Sequence, residues 1–331
     1  MGEDVSEFSR CHMLKVKLSS SDNIDGLLAQ TPGGKGEWGN CEFFVDDISE
    51  CDYWVVFNSV TRKERVMCPS NHTILITGEP ASVKHYGQKF LSQFSTIITA
   101  QEDLQHSGVI RTHQVLSWLL HKNYDELVSP PVLEKTKTMS LICSNKRFTK
   151  GHEERFQFAL DLKGYFGDRL DLYGRGIRDF DDKWDVIAPY KYSIAIENSS
   201  SKYYVSEKLW ENYLSLTYPF YYGCTNVEDY YPPGAFSLIN IHNFEGTIEV
   251  IERVLGEPKY YENHLSEIYE ARDRYLKQYH VFPQLVKVIN NIDNMGKFDK
   301  EEIILAPGKF GVFDLISKGK CIQASLNGIL K

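Results

Sequence analysis

The sequence lacks the residue patterns that mark several common kinds of site. Its seven cysteines include no CxxC pair, and its ten histidines form no HxxxH or HExxH pattern. These absences exclude a zinc ribbon, a dithiol redox motif and the common helical zinc site. Because the cysteines are odd in number and widely scattered, we expect free thiols in a reducing compartment.

Long apolar runs and an excess of positive charge are also missing. Residues 1–18 are charged and polar before the first strand-like run, without a signal-peptide pattern. We therefore expect a cytoplasmic protein with no transmembrane segment, and we leave peripheral membrane association open. The formal net charge of -8 argues against a nucleic-acid partner.

What the sequence does contain is an alternation of strand-like and helix-like segments over 331 residues, enough for two domains. Strands are predicted at 14–18, 52–57, 73–77, 96–99, 139–143, 170–173, 192–196, 219–222 and 236–239. Helices are predicted at 80–92, 113–121, 151–162, 206–216 and 244–255. A polar stretch at 122–137, with Pro130-Pro131, predicts a linker. The alternation predicts an α/β fold with parallel sheets flanked by helices.

One stretch of the second half combines groups suited to binding an anion. A predicted buried strand ends in Glu197-Asn198, and after Tyr204 a helix begins with Ser206 as its cap and Glu207-Lys208 in its first turn. Ligands of parallel sheets bind at the carboxyl ends of strands, and helix N-termini attract anions. A lysine at that helix end is unfavourable unless a negative group such as a diphosphate lies opposite. The plainer alternative is a helix cap beside a solvated lysine.

A second cation favours the anion site. Arg155 lies on the preceding predicted helix, and its planar fork suits phosphate oxygens. Gly174, in Gly174-Arg175-Gly176, follows a predicted strand and could approach a nucleotide closely, although the motif is too short for a dinucleotide fingerprint.

The motif resembles the hallmark of the α-1,3/4-fucosyltransferases, which form glycosyltransferase family 10. The residues that carry the resemblance are Lys191-Tyr192, Glu197-Asn198, Tyr204-Val205, Glu207-Lys208 and Pro219-Phe220-Tyr221-Tyr222-Gly223. The sequence departs from the family pattern at Ile196, where the family has an aromatic residue, and at Ser206, where it has threonine.

The resemblance implies a GT-B fold, in which two Rossmann-like domains face each other across a cleft. It implies an inverting enzyme that needs no metal or other cofactor and transfers L-fucose from GDP-fucose to a hydroxyl of a glycan acceptor. It implies catalytic roles for Glu79, as general base, and for Glu207. The donor would be bound by Arg155, Asn198, Tyr204, Glu207 and Lys208, and we add Gly174 to these.

We divide the chain accordingly into an acceptor-binding domain at 1–130, a nucleotide-sugar-binding domain at 131–285 and a tail at 286–331 that packs back on the first domain. Two alternatives stay open: an enzyme of the same fold that uses another nucleotide sugar, and a two-lobed sugar-binding protein without chemistry.

Two further features have plain structural interpretations. Asp179-Phe180-Asp181-Asp182 contains a DxD pattern, but the acids open a predicted helix at 182–187, where they favour its dipole. His113 and Trp118 are predicted to lie on a buried helix face rather than to line an acceptor site.

Overall fold

The structure is a computed structural model that describes residues 13–45, 47–129, 133–145, 149–293 and 298–308. Its strands are β1 Leu14–Ser20, β2 Glu37–Trp38, β3 Cys41–Phe44, β4 Tyr53–Phe57, β5 Glu64–Cys68, β6 Thr73–Ile76, β7 Thr96–Thr99, β8 Val109–Arg111, β9 Lys137–Ile142, β10 Leu170–Tyr173, β11 Tyr190–Ile196, β12 Tyr218–Tyr222, β13 Ser237–Leu238 and β14 Glu301–Leu305. Its α-helices are α1 Gln88–Leu91, α2 Tyr124–Val128, α3 Lys150–Phe166, α4 Lys183–Ile187, α5 Glu207–Leu214, α6 Phe244–Gly256, α7 Tyr260–Asn263, α8 Leu265–Arg274 and α9 Val281–Asp293.

These strands form two large sheets, one in each half of the chain. The first sheet has the order β2-β3-β1-β4-β6-β7-β8 and is parallel except for the β2–β3 pair. The second has the order β10-β9-β11-β12-β13 and is parallel throughout. Every residue of β4, β6 and β7 is buried, because helices and loops cover both faces of such a sheet. The predicted α/β architecture is confirmed.

Each sheet has its own core, and the C-terminal helix α9 belongs to the core of the first sheet. Val281, Phe282 and Leu285 of α9 pack on the first sheet against side chains such as Val16 and Val55. The opposite face of that sheet is covered by a separate cluster, and the second sheet has a cluster of its own. After α9, β14 pairs antiparallel with β5 of the first half.

The predicted division at residues 130 and 285 stays a prediction. In the structure the side chains change core earlier at both points, before Trp118 at the first and at Val281 at the second. Val115 packs with the first sheet, whereas Trp118 and Leu127 pack with the second. The chain then returns to the first sheet at Val281. We call the first sheet with its cover, including α9, the first lobe, and the second sheet with its helices the second lobe.

Two predicted helices are wrong. Residues 113–121 have no helix and run extended between the lobes, because Val115 is buried in one core while Trp118 and Leu120 are buried in the other. A helix would place Val115 and Trp118, which are three positions apart, on one face. Of the predicted helix at 80–92 only Gln88–Leu91 forms, since Gly87 is extended at its start.

The extended segment, residues 112–123, connects the lobes and is bound by both. The Leu119 N–H donates to Glu211 Oε1 of α5 over 2.6 Å, and His113 Nε2 lies 2.9 Å from the Tyr231 hydroxyl. His113 and Trp118 are buried there, as predicted, although not on a helix. None of the helices that the structure describes is long and apolar enough to cross a bilayer.

Candidate active site

The candidate site lies at the carboxyl ends of the strands of the second sheet, where Glu197 directly follows β11. The Glu197 side chain is buried and turns toward the start of α5. Its two oxygens accept from the Ser206 N–H over 2.7 Å and from the Ser206 hydroxyl over 2.6 Å. A Cβ at position 223 would lie 2.3 Å from Glu197 Cγ, so Gly223 makes room for the carboxylate. The bonds from Ser206 to Glu197 therefore fix the turn between β11 and α5, and Gly223 leaves space for the Glu197 side chain.

Ser206 is the cap of α5, as predicted. Its side chain accepts from the Lys208 N–H, and it stands between Glu197 and the Lys208 ammonium, which donates to Ser206 Oγ over 2.9 Å. A serine in this position satisfies a free helix donor and orients the lysine at the same time.

Lys208 is held by acids on both sides. Its Nζ lies 3.1 Å from Glu207 Oε1 and 3.4 Å from Glu197 Oε2. Burial alone would lower the pKa of this lysine, but the carboxylates of Glu207 and Glu197 outweigh it and raise the pKa above its usual value. Lys208 is therefore a fixed positive charge at neutral pH, at a helix start that already attracts anions.

Glu207 lies between two lysines. Burial would raise its pKa, but Lys208 and Lys183, whose Nζ is 3.8 Å away, hold the pKa below the usual range. Glu207 is therefore ionised. Lys183 in turn forms an ion pair of 2.8 Å with the buried Glu211, the same carboxylate that accepts from Leu119.

Arg155 reaches the site from α3. The side chain is buried, with Nη1 donating to Asn198 Oδ1 over 2.5 Å and Nη2 to Ser144 Oγ over 3.4 Å. Its Nε is buried without a partner among the described residues. A Cβ at Gly151 would lie 2.2 Å from the Asn198 carbonyl oxygen, which lets the first turn of α3 approach the end of β11.

The two predicted phosphate-binding cations converge. Arg155 and Lys208 line one cavity of about 150 Å³ at the carboxyl end of β11, together with Ser144, Lys183 and Glu207. Arg155 is close enough for its charge to oppose that of Lys208. A guanidinium and an ammonium group held close together in one cavity favour an anionic ligand.

Tyr204 lies among the same charges. Its side chain is 2% exposed, and burial raises its pKa well above the usual value, with Glu197, Glu79 and Glu207 adding to the effect and Arg155 opposing it. The phenol is therefore a neutral group that can donate a hydrogen bond inside the site.

Glu79 comes from the first lobe, in the loop after β6. Burial raises the pKa of its carboxyl group, the Lys208 cation lowers it and the Glu207 carboxylate raises it. Glu79 is therefore near enough to Lys208 and Glu207 for their charges to act on its carboxyl group. Gln101 fixes the loop, because its Nε2 donates to the carbonyls of Glu79 over 2.8 Å and Lys84 over 2.9 Å. A carboxylate of one lobe thus interacts with the Lys208 cation of the other.

Comparison with known proteins agrees with this geometry. Residues 132–297 match the model of "Glycosyltransferase family 10 (fucosyltransferase) C-term", which is half of the chain. The chain belongs to glycosyltransferase family 10. The family resemblance of the motif at 197–208 is confirmed.

Curated relatives are similar over part of their length. The chain is 31% identical over 89 residues to the alpha-(1,3)-fucosyltransferase FucT of Helicobacter pylori, which covers 27% of the chain and 18% of that protein. It is 28% identical over 151 residues to the human 4-galactosyl-N-acetylglucosaminide 3-alpha-L-fucosyltransferase FUT5, 44% of the chain and 36% of that protein. The matches therefore span less than two thirds of either relative.

Among solved structures, the fold is similar to that of an alpha1,3-fucosyltransferase crystallised with GDP-fucose. The TM-score is 0.51 at 16% identity, over 87% of this chain and 93% of that one. The predicted GT-B fold, with two Rossmann-like domains facing across a cleft, is confirmed.

Gly174 is required by the packing of the second sheet beside the site. It has φ +145°, and a Cβ there would lie 2.0 Å from the carbonyl oxygen of Cys143, at the end of β9. Ser144, the next residue, lines the cavity. This close approach is enough to require glycine at position 174, whether or not a ligand binds there. The predicted contact of Gly174 with a nucleotide stays a prediction.

We expect Gly174→Ala to destabilise the protein by about 2 kcal/mol or more, because either the alanine or the Cys143 backbone must move. Gly164→Ala is the matched control: Gly164 lies in α3 with nothing within 4 Å of its Cβ position, so alanine should stabilise by about 0.5–1 kcal/mol. Chemical denaturation of both variants measures the difference. Equal stabilities would contradict the packing argument.

Three contacts of the site were not predicted from the sequence. Lys183, Glu211 and Ser144 carry no motif signal, because each reaches the site through tertiary packing. The one available hint was that Lys183 directly follows Asp182 at the predicted helix start. Asp182 does cap α4, accepting from the Trp184 N–H over 3.0 Å, as predicted for the acids at 179–182.

Glu197 positions Lys208, and removing it should be costly. Glu197→Ala leaves both Ser206 donors without their acceptor and removes one of the two acids beside Lys208. We expect a loss of about 2–4 kcal/mol in the free energy of unfolding, measured by denaturant titration. Glu228→Ala, at an exposed glutamate of the same lobe, should change it by less than about 0.5 kcal/mol. A stable Glu197→Ala protein would show that the carboxylate does not hold the turn.

Proposed function

We propose that this family 10 protein is an inverting fucosyltransferase that transfers L-fucose from GDP-fucose to a hydroxyl of a glycan acceptor, in α-1,3 or α-1,4 linkage. The observation that carries the proposal is the convergence of Arg155 and Lys208 in one cavity, with Lys208 near Glu79 of the other lobe. A sugar-binding protein without chemistry has no need of two cations in one cavity, one of which interacts with a carboxylate whose pKa is raised.

The diphosphate of the donor would bind at the start of α5. Lys208 supplies a fixed charge, Arg155 a planar pair of donors, and α5 the positive end of its dipole. Asn198, which fixes the Arg155 guanidinium, and the Tyr204 phenol would complete this surface as neutral groups. Ionised Glu207 would lie near the ribose or the donor sugar.

The chemical step would be a single displacement. Glu79 takes the proton of the acceptor hydroxyl as its oxygen forms a bond to the anomeric carbon of fucose. The bond from that carbon to the β-phosphate oxygen breaks, and GDP leaves with the bonding electrons. The sugar passes through an oxocarbenium-like state, which a nearby carboxylate such as Glu207 can stabilise. Attack opposite the leaving group inverts the anomeric configuration.

The role of the cations makes a metal unnecessary in this scheme. Arg155 and Lys208 would stabilise the negative charge that develops on GDP as it leaves. Preorganised charges of this kind typically lower the activation free energy by a few kcal/mol per group. The proposed partners are the nucleotide-sugar donor and a glycan acceptor, which the first lobe would bind. We propose that the reaction takes place in the cytoplasm.

Two measurements test the proposal. Thermal stability is measured with GDP, UDP and CMP, and stabilisation by GDP alone is expected. Turnover is then measured with GDP-fucose, N-acetyllactosamine-type acceptors and EDTA, and the anomer formed is read by NMR. Stabilisation by UDP or CMP but not by GDP would indicate another donor. Absence of both nucleotide binding and turnover would refute the proposed reaction.

A further inference from the structure

The first lobe contains two cysteines that lie side by side and do not line the cavity of the candidate site. Cys51 precedes β4, Cys68 ends β5, and both are completely buried. Glu50 and Met67 form a parallel bridge, and the Cys51 N–H donates to the Met67 carbonyl over 3.0 Å. The next residues in that register are Cys51 and Cys68. Neighbouring strands are about 4.8 Å apart, within the range of Cα separations that a disulfide spans.

The two thiols also lie in the same surroundings. The Cys68 thiol donates to the carbonyl of Asp52, the residue after Cys51, over 3.9 Å, and the neighbouring Cys51 thiol raises the pKa of Cys68. The other cysteines that the structure describes have different partners: Cys41 contacts Asn40, Cys143 contacts Ser144, and Cys224 contacts Asn226. The closeness of the two thiols, as well as the backbone spacing, therefore suits a bond between Cys51 and Cys68.

The surroundings hold the pair in place. Both side chains belong to the buried cluster that covers the outer face of the first sheet. Lys300, at the start of β14, forms ion pairs of 2.7 Å with Glu50 and 2.8 Å with Asp52, the two residues that flank Cys51. The β5–β14 ribbon thus covers the thiols, and the ion pairs of Lys300 connect it to the segment that contains Cys51.

We propose that Cys51 and Cys68 form a reversible disulfide when the protein meets a disulfide oxidant such as oxidised glutathione. One cysteine thiolate attacks the oxidant, forms a mixed disulfide and releases one glutathione thiolate. The second cysteine thiolate attacks the mixed disulfide, closes the intramolecular bond and releases the other. Glutathione disulfide gains two electrons, and the two thiol protons pass to the released thiolates or to solvent.

The native pair should react slowly. The neighbouring Cys51 thiol and burial both raise the pKa of Cys68, so that its thiolate is scarce, and neither sulfur is open to an oxidant. Oxidation therefore requires opening of the β5–β14 ribbon or takes place during folding. For this reason the test oxidises the protein in two ways: in denaturant below the unfolding transition, and during refolding.

The full chain is oxidised with a glutathione buffer, blocked with N-ethylmaleimide and cleaved after glutamate. This cleavage separates Cys51, in residues 51–64, from Cys41 and places Cys68 in residues 65–102, because the bond between Glu79 and Pro80 is not cleaved. We expect a linked pair of these two peptides by mass spectrometry, and dithiothreitol should separate them. Because the bond closes a loop of about seventeen residues, we expect oxidation to raise Tm by about 5–10 °C.

Variants decide the assignment. Cys51→Ala should abolish both the linked peptide and the dependence of Tm on oxidant, whereas Cys41→Ala should leave both intact. The proposal is overturned if neither oxidation yields the linked peptide, if only glutathione adducts form at Cys51 or Cys68, or if either residue links instead to Cys11, Cys41 or Cys321.

Discussion

Lys208→Ala should weaken GDP binding about 10- to 100-fold and lower turnover about 100- to 1,000-fold. The affinity estimate follows from the loss of a charge-assisted hydrogen bond to phosphate, and the larger effect on turnover from the greater charge on GDP as it leaves. Lys208 is suited to this task because Glu207 and Glu197 keep it charged and Ser206 fixes its direction. Calorimetric titration with GDP and steady-state kinetics measure the two effects.

The variant also leaves Glu197 buried without its cation, so a fall in stability is expected as well. Binding must therefore be measured well below its melting temperature. Lys287→Ala, at an exposed lysine on α9, is the control for the loss of a positive charge and should bind GDP as the parent does. If Lys208→Ala keeps full GDP affinity while its fold is intact, the ammonium does not contact the diphosphate, and the proposed donor site is wrong.

Glu79→Gln should reduce kcat by about 1,000-fold and leave GDP affinity within a few-fold of the parent. A glutamine fills the same space but cannot accept the proton of the acceptor, and general bases contribute about 100- to 10,000-fold. The donor site lies on the opposite lobe and keeps all of its groups. Glu37→Gln, at an exposed glutamate of the first lobe, controls for the loss of a negative charge.

The same carboxylate predicts the pH dependence. Burial raises the pKa of Glu79, outweighing the Lys208 cation. The base acts only when deprotonated, so kcat/KM should fall as pH decreases, with an apparent pKa above the ordinary glutamate value of about 4.3. Glu79→Gln should lose this acid limb along with most of its activity. An unchanged acid limb in the variant, or turnover close to that of the parent, would assign the base elsewhere.

The sequence predicted the elements whose burial depends on their own pattern. The strands at 96–99 and 170–173 have the predicted bounds: every residue of the first is buried, and in the second only Asp171 is partly exposed. β5 and β14 were not predicted: their pattern is partly exposed, and they pair across more than 230 residues. The helix predicted at 113–121 failed because its apolar side chains serve two different cores, which periodicity along one segment cannot show.

The contacts of the candidate site also divide into local ones, which the sequence could predict, and long-range ones, which it could not. The contacts among Glu197, Ser206 and Lys208 lie within twelve residues, so a strand end, a cap and a helix start could be read from the sequence. The Lys183–Glu211 pair and the bond from Leu119 to Glu211 join segments that are up to 92 positions apart. Only the topology of the second sheet brings them together.

Helix α9 is encoded near the end of the gene but completes the core of the first lobe, whose strands are encoded at its start. Val281, Phe282 and Leu285 cover one face of the first sheet, and the Tyr53 hydroxyl donates to the Ile289 carbonyl over 3.4 Å. A stop codon between positions 112 and 281 would remove that cover while sparing every strand of the first sheet, which ends at Arg111. Nonsense mutations near the 3′ end of the coding sequence should therefore damage the lobe that the 5′ end encodes.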